Sequence, residues 1–262
     1  MIDQINSAWA RGSEDRIGLV AAAIAHYALL ALVPMLGAVV LGYGLFADPE
    51  TVARHIGLLS ERLPATAATL ISDQLQDVSE GADGAKGLGL LASLGVAIFG
   101  ARSGARALMD GLNIAFHAGN GRGFVKANLV ALVITMAGVA GLALAGAASA
   151  ALAAFGGIAG RIASVAFLLM AASGGAALLF RFAPDRPAPG WRAIWGGAGL
   201  FALLWLGATA AFAYYAANFG SYNATYGSLG AVIVLITWFY ASGFFLLLGA
   251  ELAAVRDRRF RS

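Results

Sequence analysis

Residues 87–117 read GLGLLASLGVAIFGARSGARALMDGLNIAFH, and the reading of this stretch decides the fold. Its first half is an uninterrupted apolar run, which predicts a membrane-crossing helix rather than a surface one. Its second half carries Arg102, Arg106, Asp110 and Asn113. On a helix the first three stack along one face at i, i+4 and i+8, and Asn113 lies close to that face. A charge in the hydrocarbon core costs about 2.5–3.5 kcal/mol on insertion scales, so such residues usually face a bundle interior or a wet cavity. Other helices must therefore shelter this stripe or bring water to it.

The rest of the chain agrees. Of 262 residues, 60% are hydrophobic and 12% charged, against roughly 25% charged in soluble domains. The 35 glycines and abundant alanine suit helix contacts in lipid, where small residues let backbones approach. With no cysteine, disulfides, cysteine-ligated zinc and thiol chemistry are excluded. The net charge of +3 does not predict a nucleic-acid partner, because the basic residues gather at helix ends.

Taken in order, residues 1–16 are a polar lead-in without the marks of a cleaved signal peptide. A first span follows at 17–46, with His26 and Tyr27 inside it and Pro34 as an expected kink. Residues 47–86 are acidic and amphipathic, and predict short helices lying on one side of the membrane, as connector or as lid. Residues 87–117 form the second span and 124–155 the third, with 162–182 as the fourth. Pro184, Pro187 and Pro189 bar a helix before the fifth, which opens at Trp191 and runs to 217. A polar loop at 218–227 contains Tyr222, Asn223, Tyr226 and Gly227 and serves either as a hairpin or as a gate. The sixth span, 228–255, ends at Glu251 before a basic tail at 256–262.

The fold class expected is therefore all-α, a polytopic bundle of six spans across residues 17–255. Counting Lys and Arg orients it: eleven fall on the side of the termini, four opposite and two within the membrane. That excess predicts cytoplasmic termini and an external 47–86 segment.

Several side chains could carry function. Arg102 is a fixed cation able to hold an anionic group or to neutralise a buried acid. Arg106 and Asp110 either share in binding or pair with each other or snorkel to the interface as structure only. Glu251 reaches a depth similar to Asp110, and an interhelical Glu251–Arg106 pair is the specific expectation. As a staple it is structural; as a lone carboxylate it could couple transport to protons or cations. His26 is a packing residue or a proton relay. The three histidines lack metal-ligand spacing and no phosphate-binding loop occurs, so no metal, no cofactor and no ATP hydrolysis are expected.

Four stretches resemble the YihY/virulence factor BrkB family of bacterial inner-membrane proteins, once mislabelled ribonuclease BN. They are AHYALLALVPML at 25–36, LMDGLNIAF at 108–116, RFAPDRPAPGWRAIWGG at 181–197, and SYNATYGSLGAVIVLITWFYASGFFLLLGAEL at 221–252. Family features fall on Pro34, Leu112-Asn113, Pro184, Tyr226-Gly227 and Gly249-Ala250-Glu251. The resemblance implies six membrane helices with cytoplasmic termini and a transport or export role, with lipid-linked envelope substrates suggested. The ribonuclease label belongs to a soluble enzyme with an H-x-H-x-D-H motif, which this sequence lacks.

These readings converge on an inner-membrane transporter for an amphiphilic or anionic substrate, a lipid or lipid precursor included. Arg102 and Arg106 would hold charge, and Asp110, Glu251 and His26 would couple or gate. The alternative is a scaffold for envelope assembly with no enzymatic activity. Membrane lipids are the expected partners, and the small-residue faces of the third and fourth spans leave packing within one chain and into a homo-oligomer both open.

Overall fold

The computed structural model describes residues 2–30, 102–119, 121–185, 189–218 and 223–257. Pro34, Pro187, Tyr222, the 47–86 segment, the first half of the 87–117 stretch and most of the basic tail lie outside the described residues. The chain forms two units, 1–27 with 102–262 and 28–101. The first of these holds nearly all of the described residues.

Every regular element among the described residues is a helix. We label them α1 (Ile2–Glu14), α2 (Ile17–Leu30), α3 (102–115), α4 (Phe124–Ala154), α5 (Gly157–Phe182), α6 (Trp191–Asn218) and α7 (Asn223–Arg256). Helices satisfy every backbone group internally, which lipid demands. Gly157–Phe182, Trp191–Tyr215 and Val232–Arg256 are long and apolar enough to cross a membrane. At 31 residues, α4 is longer still, and Lys126 is its sole charge.

The boundaries follow local chemistry. Gly156, at φ +73°, supplies the left-handed turn that separates α4 from α5, a conformation open to glycine. Four residues on, a Cβ at Gly160 would stand 2.9 Å from the Leu152 carbonyl oxygen, so α5 can fold back tightly only on glycine. The proline-rich segment ends α5 at Phe182 and delays the next helix to Trp191. At the other end of α6 the expected loop is shorter than its composition suggested, since α7 already begins at Asn223. Asn223, Tyr226 and Gly227 therefore belong to its first turns. Each helical residue added brings one more internal hydrogen bond, and next to an apolar medium that outweighs the poor helix propensity of Asn, Thr and Gly. The polar lead-in likewise folds, as the amphipathic α1.

Helices adjacent in sequence pack together from α4 to α7, and α1 packs along α7. Burial is concentrated where the ends of α3, α5 and α7 meet the starts of α4 and α6. Met109, Leu112, Phe116, Phe180, Ile194 and Leu247 are among the large members of one cluster, with alanines filling the spaces. The Phe116 and Phe180 rings meet edge to face at 6.0 Å. Away from this packed end, large apolar side chains such as Leu144, Ile162, Met170 and Leu203 are more than 60% exposed. So much exposed apolar surface marks contact with lipid or another apolar body.

Because lipid is as apolar as leucine, helix association here rests on close backbone approach and polar contacts. Where α6 crosses α7, a Cβ on Gly249 would lie 2.7 Å from the Gly197 carbonyl oxygen, and one on Gly197 would overlap the Gly249 oxygen. Farther along the same pair, the indole nitrogen of Trp205 donates to Ser242 Oγ (3.1 Å) and that of Trp238 to Thr209 Oγ1 (3.2 Å).

Candidate functional site

The polar stripe of α3 does not stay together as one unit. Arg102 turns toward α4, where its Nε donates to Asn128 Oδ1 at 2.9 Å. Asn113 is buried, and its Oδ1 accepts the backbone N–H of Asp185 at 2.9 Å. It anchors the proline-rich loop. Between them, Arg106 and Asp110 stand one turn apart with exposed side chains, and no ion pair joins them among the described residues.

Arg106 and Asp110 line an open groove of about 530 Å³ between α2 and α3. Tyr27 and Ser103 add hydroxyls, while Leu19, Val20 and Ile114 make the wall apolar. A cation, a carboxylate and two hydroxyls set in an apolar trough can hold a polar headgroup while its apolar part follows the wall. His26 is exposed, and its ring meets that of Tyr27 at 5.6 Å.

Glu251 departs from expectation. Its partner is Arg11 rather than Arg106: Arg11 Nε lies 3.3 Å from Glu251 Oε2, with the carboxylate completely buried. Among the described residues, Asp15 is a further charged neighbour of Glu251. The same guanidinium reaches the carbonyl oxygen of Ala115 at the end of α3, with an Nη2 to oxygen distance of 3.4 Å. A cation suits that position, since the end of a helix carries partial negative charge. Arg11 thus ties α1 to the ends of both α3 and α7. Sequence reading placed Glu251 and Arg106 at similar depth but could not assign azimuth, and the N-terminal helix brings a nearer cation.

A second clasp closes the same end. Arg122 pairs with Asp185 at 3.0 Å and donates to the carbonyls of Ala183 and Pro184, both at 2.7 Å. Asp185 also accepts the N–H of Gly121, and Asp257 accepts that of Gly190 at 2.7 Å. Arg122→Met should remove a charge-assisted cap and cost about 1.5–3 kcal/mol. Unfolding in a denaturing detergent series would measure it, and an unchanged midpoint would contradict the assignment.

Arg11, Asp15, Asn128, Arg122 and Asp185 escaped sequence reading as partners. One signal was available: Ile2, Ile5, Ala8, Trp9 and Gly12 recur at helical spacing, which marks a packed helix in the lead-in. Asn128, set at the start of a largely apolar span, was another.

Comparison with known proteins adds kinship to this geometry. The profile of the family described as "Virulence factor BrkB" matches residues 8–262. "Putative ribonuclease-like protein YfkH" of Bacillus subtilis is 26% identical over 254 residues, covering 91% of this chain and 89% of that protein. A "UPF0761 membrane protein" of Alkalilimnicola ehrlichii is 28% identical over 244 residues, or 88% of this chain and 53% of that protein. Another, from Tolumonas auensis, is 41% identical over 81 residues, 31% of this chain and 26% of that protein. The chain thus spans most of YfkH but about half or less of these UPF0761 proteins. No solved structure shows a significant match.

Proposed function

The chain belongs to the virulence factor BrkB family, and from that premise we propose that it is a permease-like membrane protein which moves an amphiphilic or anionic substrate, such as a lipid or lipid-linked precursor, across the bacterial inner membrane. One observation carries this reading: Arg106 and Asp110 face an open, apolar-walled groove between α2 and α3. Charges set on a membrane helix are costly, and a purely structural pair would be expected to close on itself. Arg106 holds the negative part of the substrate, Asp110 offsets that charge so the substrate is released, and Tyr27 and Ser103 orient the headgroup. Arg102 and Glu251, engaged in contacts that join helices, and Asn113, which holds the proline-rich loop, position the frame around the groove. No ATP-binding loop occurs in the sequence, so the chain itself does not hydrolyse ATP, and we assign it no ribonuclease or other enzymatic role.

A six-span topology with both termini cytoplasmic accompanies this reading. The eleven-to-four distribution of Lys and Arg supports it, as does the joining of α1 to the end of α7 through Arg11 and Glu251.

The test is transbilayer movement of acyl-labelled phosphatidylglycerol, phosphatidylethanolamine and an isoprenoid phosphate in proteoliposomes, read by dithionite quenching. The protein should accelerate movement of at least one probe. Arg106→Gln should slow it about tenfold, the factor lost with one charge-assisted hydrogen bond of roughly 1.5 kcal/mol. If no probe moves faster than in empty vesicles, the reading fails and a scaffold role takes its place.

A further inference from the structure

A second groove, of about 700 Å³, lies between α1, α2 and α7 and shares no charged residue with the first. Arg16 stands at the turn between α1 and α2 with Ser13 in the last turn of α1, Trp9 and Tyr240 are aromatic rims, and Ile17 and Phe244 make apolar wall. We propose that this groove holds an acidic phospholipid of the adjacent leaflet, its phosphate on Arg16 and an acyl chain along α2 and α7.

Charge selects the occupant. Among the described residues, Arg16 is the one charged side chain lining the groove; it is exposed, and no described carboxylate lies within ion-pair distance of it. Its position is also built rather than incidental. Arg16 has φ +51°, a left-handed conformation that a non-glycine residue adopts at some cost. Its N–H donates to the Ser13 carbonyl at 3.2 Å, and its own carbonyl accepts from Leu19 at 2.9 Å, so the strained residue joins the last turn of α1 to the first of α2. The start of α2 adds partial positive charge to the same place. Trp, Tyr and Arg are the side chains that settle at the headgroup level of a bilayer. A soluble anion would use the cation but not the apolar trough, whereas a phospholipid uses both.

The test uses full-length protein in micelles titrated with brominated phosphatidylglycerol or brominated phosphatidylcholine. Quenching of the Trp9 component, taken as the difference from Trp9→Phe protein, reports occupancy. The acidic lipid should bind about five-fold more tightly, the preference that one basic residue confers near a membrane surface. Arg16→Asn and Arg16→Gly remove the charge while suiting the left-handed backbone, and both should abolish the preference. Arg16→Lys should keep it. Arg106→Gln should also keep it, which separates this site from the proposed transport groove. Equal quenching by both lipids in the unmodified protein, or a preference that survives Arg16→Asn and Arg16→Gly, would overturn the assignment.

Discussion

Arg11→Met is expected to destabilise the protein by about 3 kcal/mol, because it leaves a fully buried carboxylate without its cation. Glu251 is 0% exposed, whereas the Arg11 side chain retains 21% exposure. The 3.3 Å contact lacks hydrogen-bond alignment, so its attraction is Coulombic, and the expected loss sits at the lower end of the range for broken buried pairs. Removing the acid instead is less damaging, since Arg11 keeps solvent access and the Ala115 carbonyl. Arg11→Met combined with Glu251→Leu should therefore recover much of the loss, and the two substitutions should be strongly non-additive. Reversible unfolding in mixed micelles measures all three. Limited proteolysis before residue 16 should accelerate in Arg11→Met alone. Additive losses would show that the two residues do not act as a pair.

Gly249→Leu should be the more severe change, about 3 kcal/mol or more, and should disrupt the α6–α7 crossing. Even a methyl group at Gly249 would meet a backbone oxygen at 2.7 Å, and backbone in a packed crossing cannot rotate aside as a side chain can. Phe201 Cβ, at 3.2 Å from the same position, blocks the other direction. The helices must separate, with loss of the dispersion contacts that lipid cannot replace in kind. Gly199 is a matched control on α6: nothing lies within 4 Å of its added Cβ, so Gly199→Ala should be neutral or slightly stabilising through helix propensity. The readouts are monodispersity after detergent extraction and the unfolding midpoint. A Gly249→Leu protein as stable as Gly199→Ala would exclude a tight crossing at Gly197 and Gly249.

Helix existence was legible in the sequence because lipid leaves a backbone few alternatives: 124–155, 162–182 and 191–217 were expected, and α4, α5 and α6 run Phe124–Ala154, Gly157–Phe182 and Trp191–Asn218. The prolines near 184–189 marked a break through local sterics, which needs no tertiary knowledge, but α5 starts at Gly157, five residues before the 162 expected. That Arg102, Arg106, Asp110 and Asn113 share a helix also followed from spacing. Which way each one points did not. Arg102 meets Asn128, Asn113 meets the backbone of Asp185, and Arg106 and Asp110 line the α2–α3 groove. Those outcomes depend on the azimuth of each neighbouring helix, a quantity that hydropathy does not encode. Glu251 makes the distinction plainest. Its depth could be counted at 1.5 Å per residue, but its partner came from α1, at the opposite end of the chain. Among the described residues, sequence determined where helices run and which of them carry charge; packing alone decided which charges would be buried and satisfied, because pairing requires angstrom proximity that one-dimensional order does not specify.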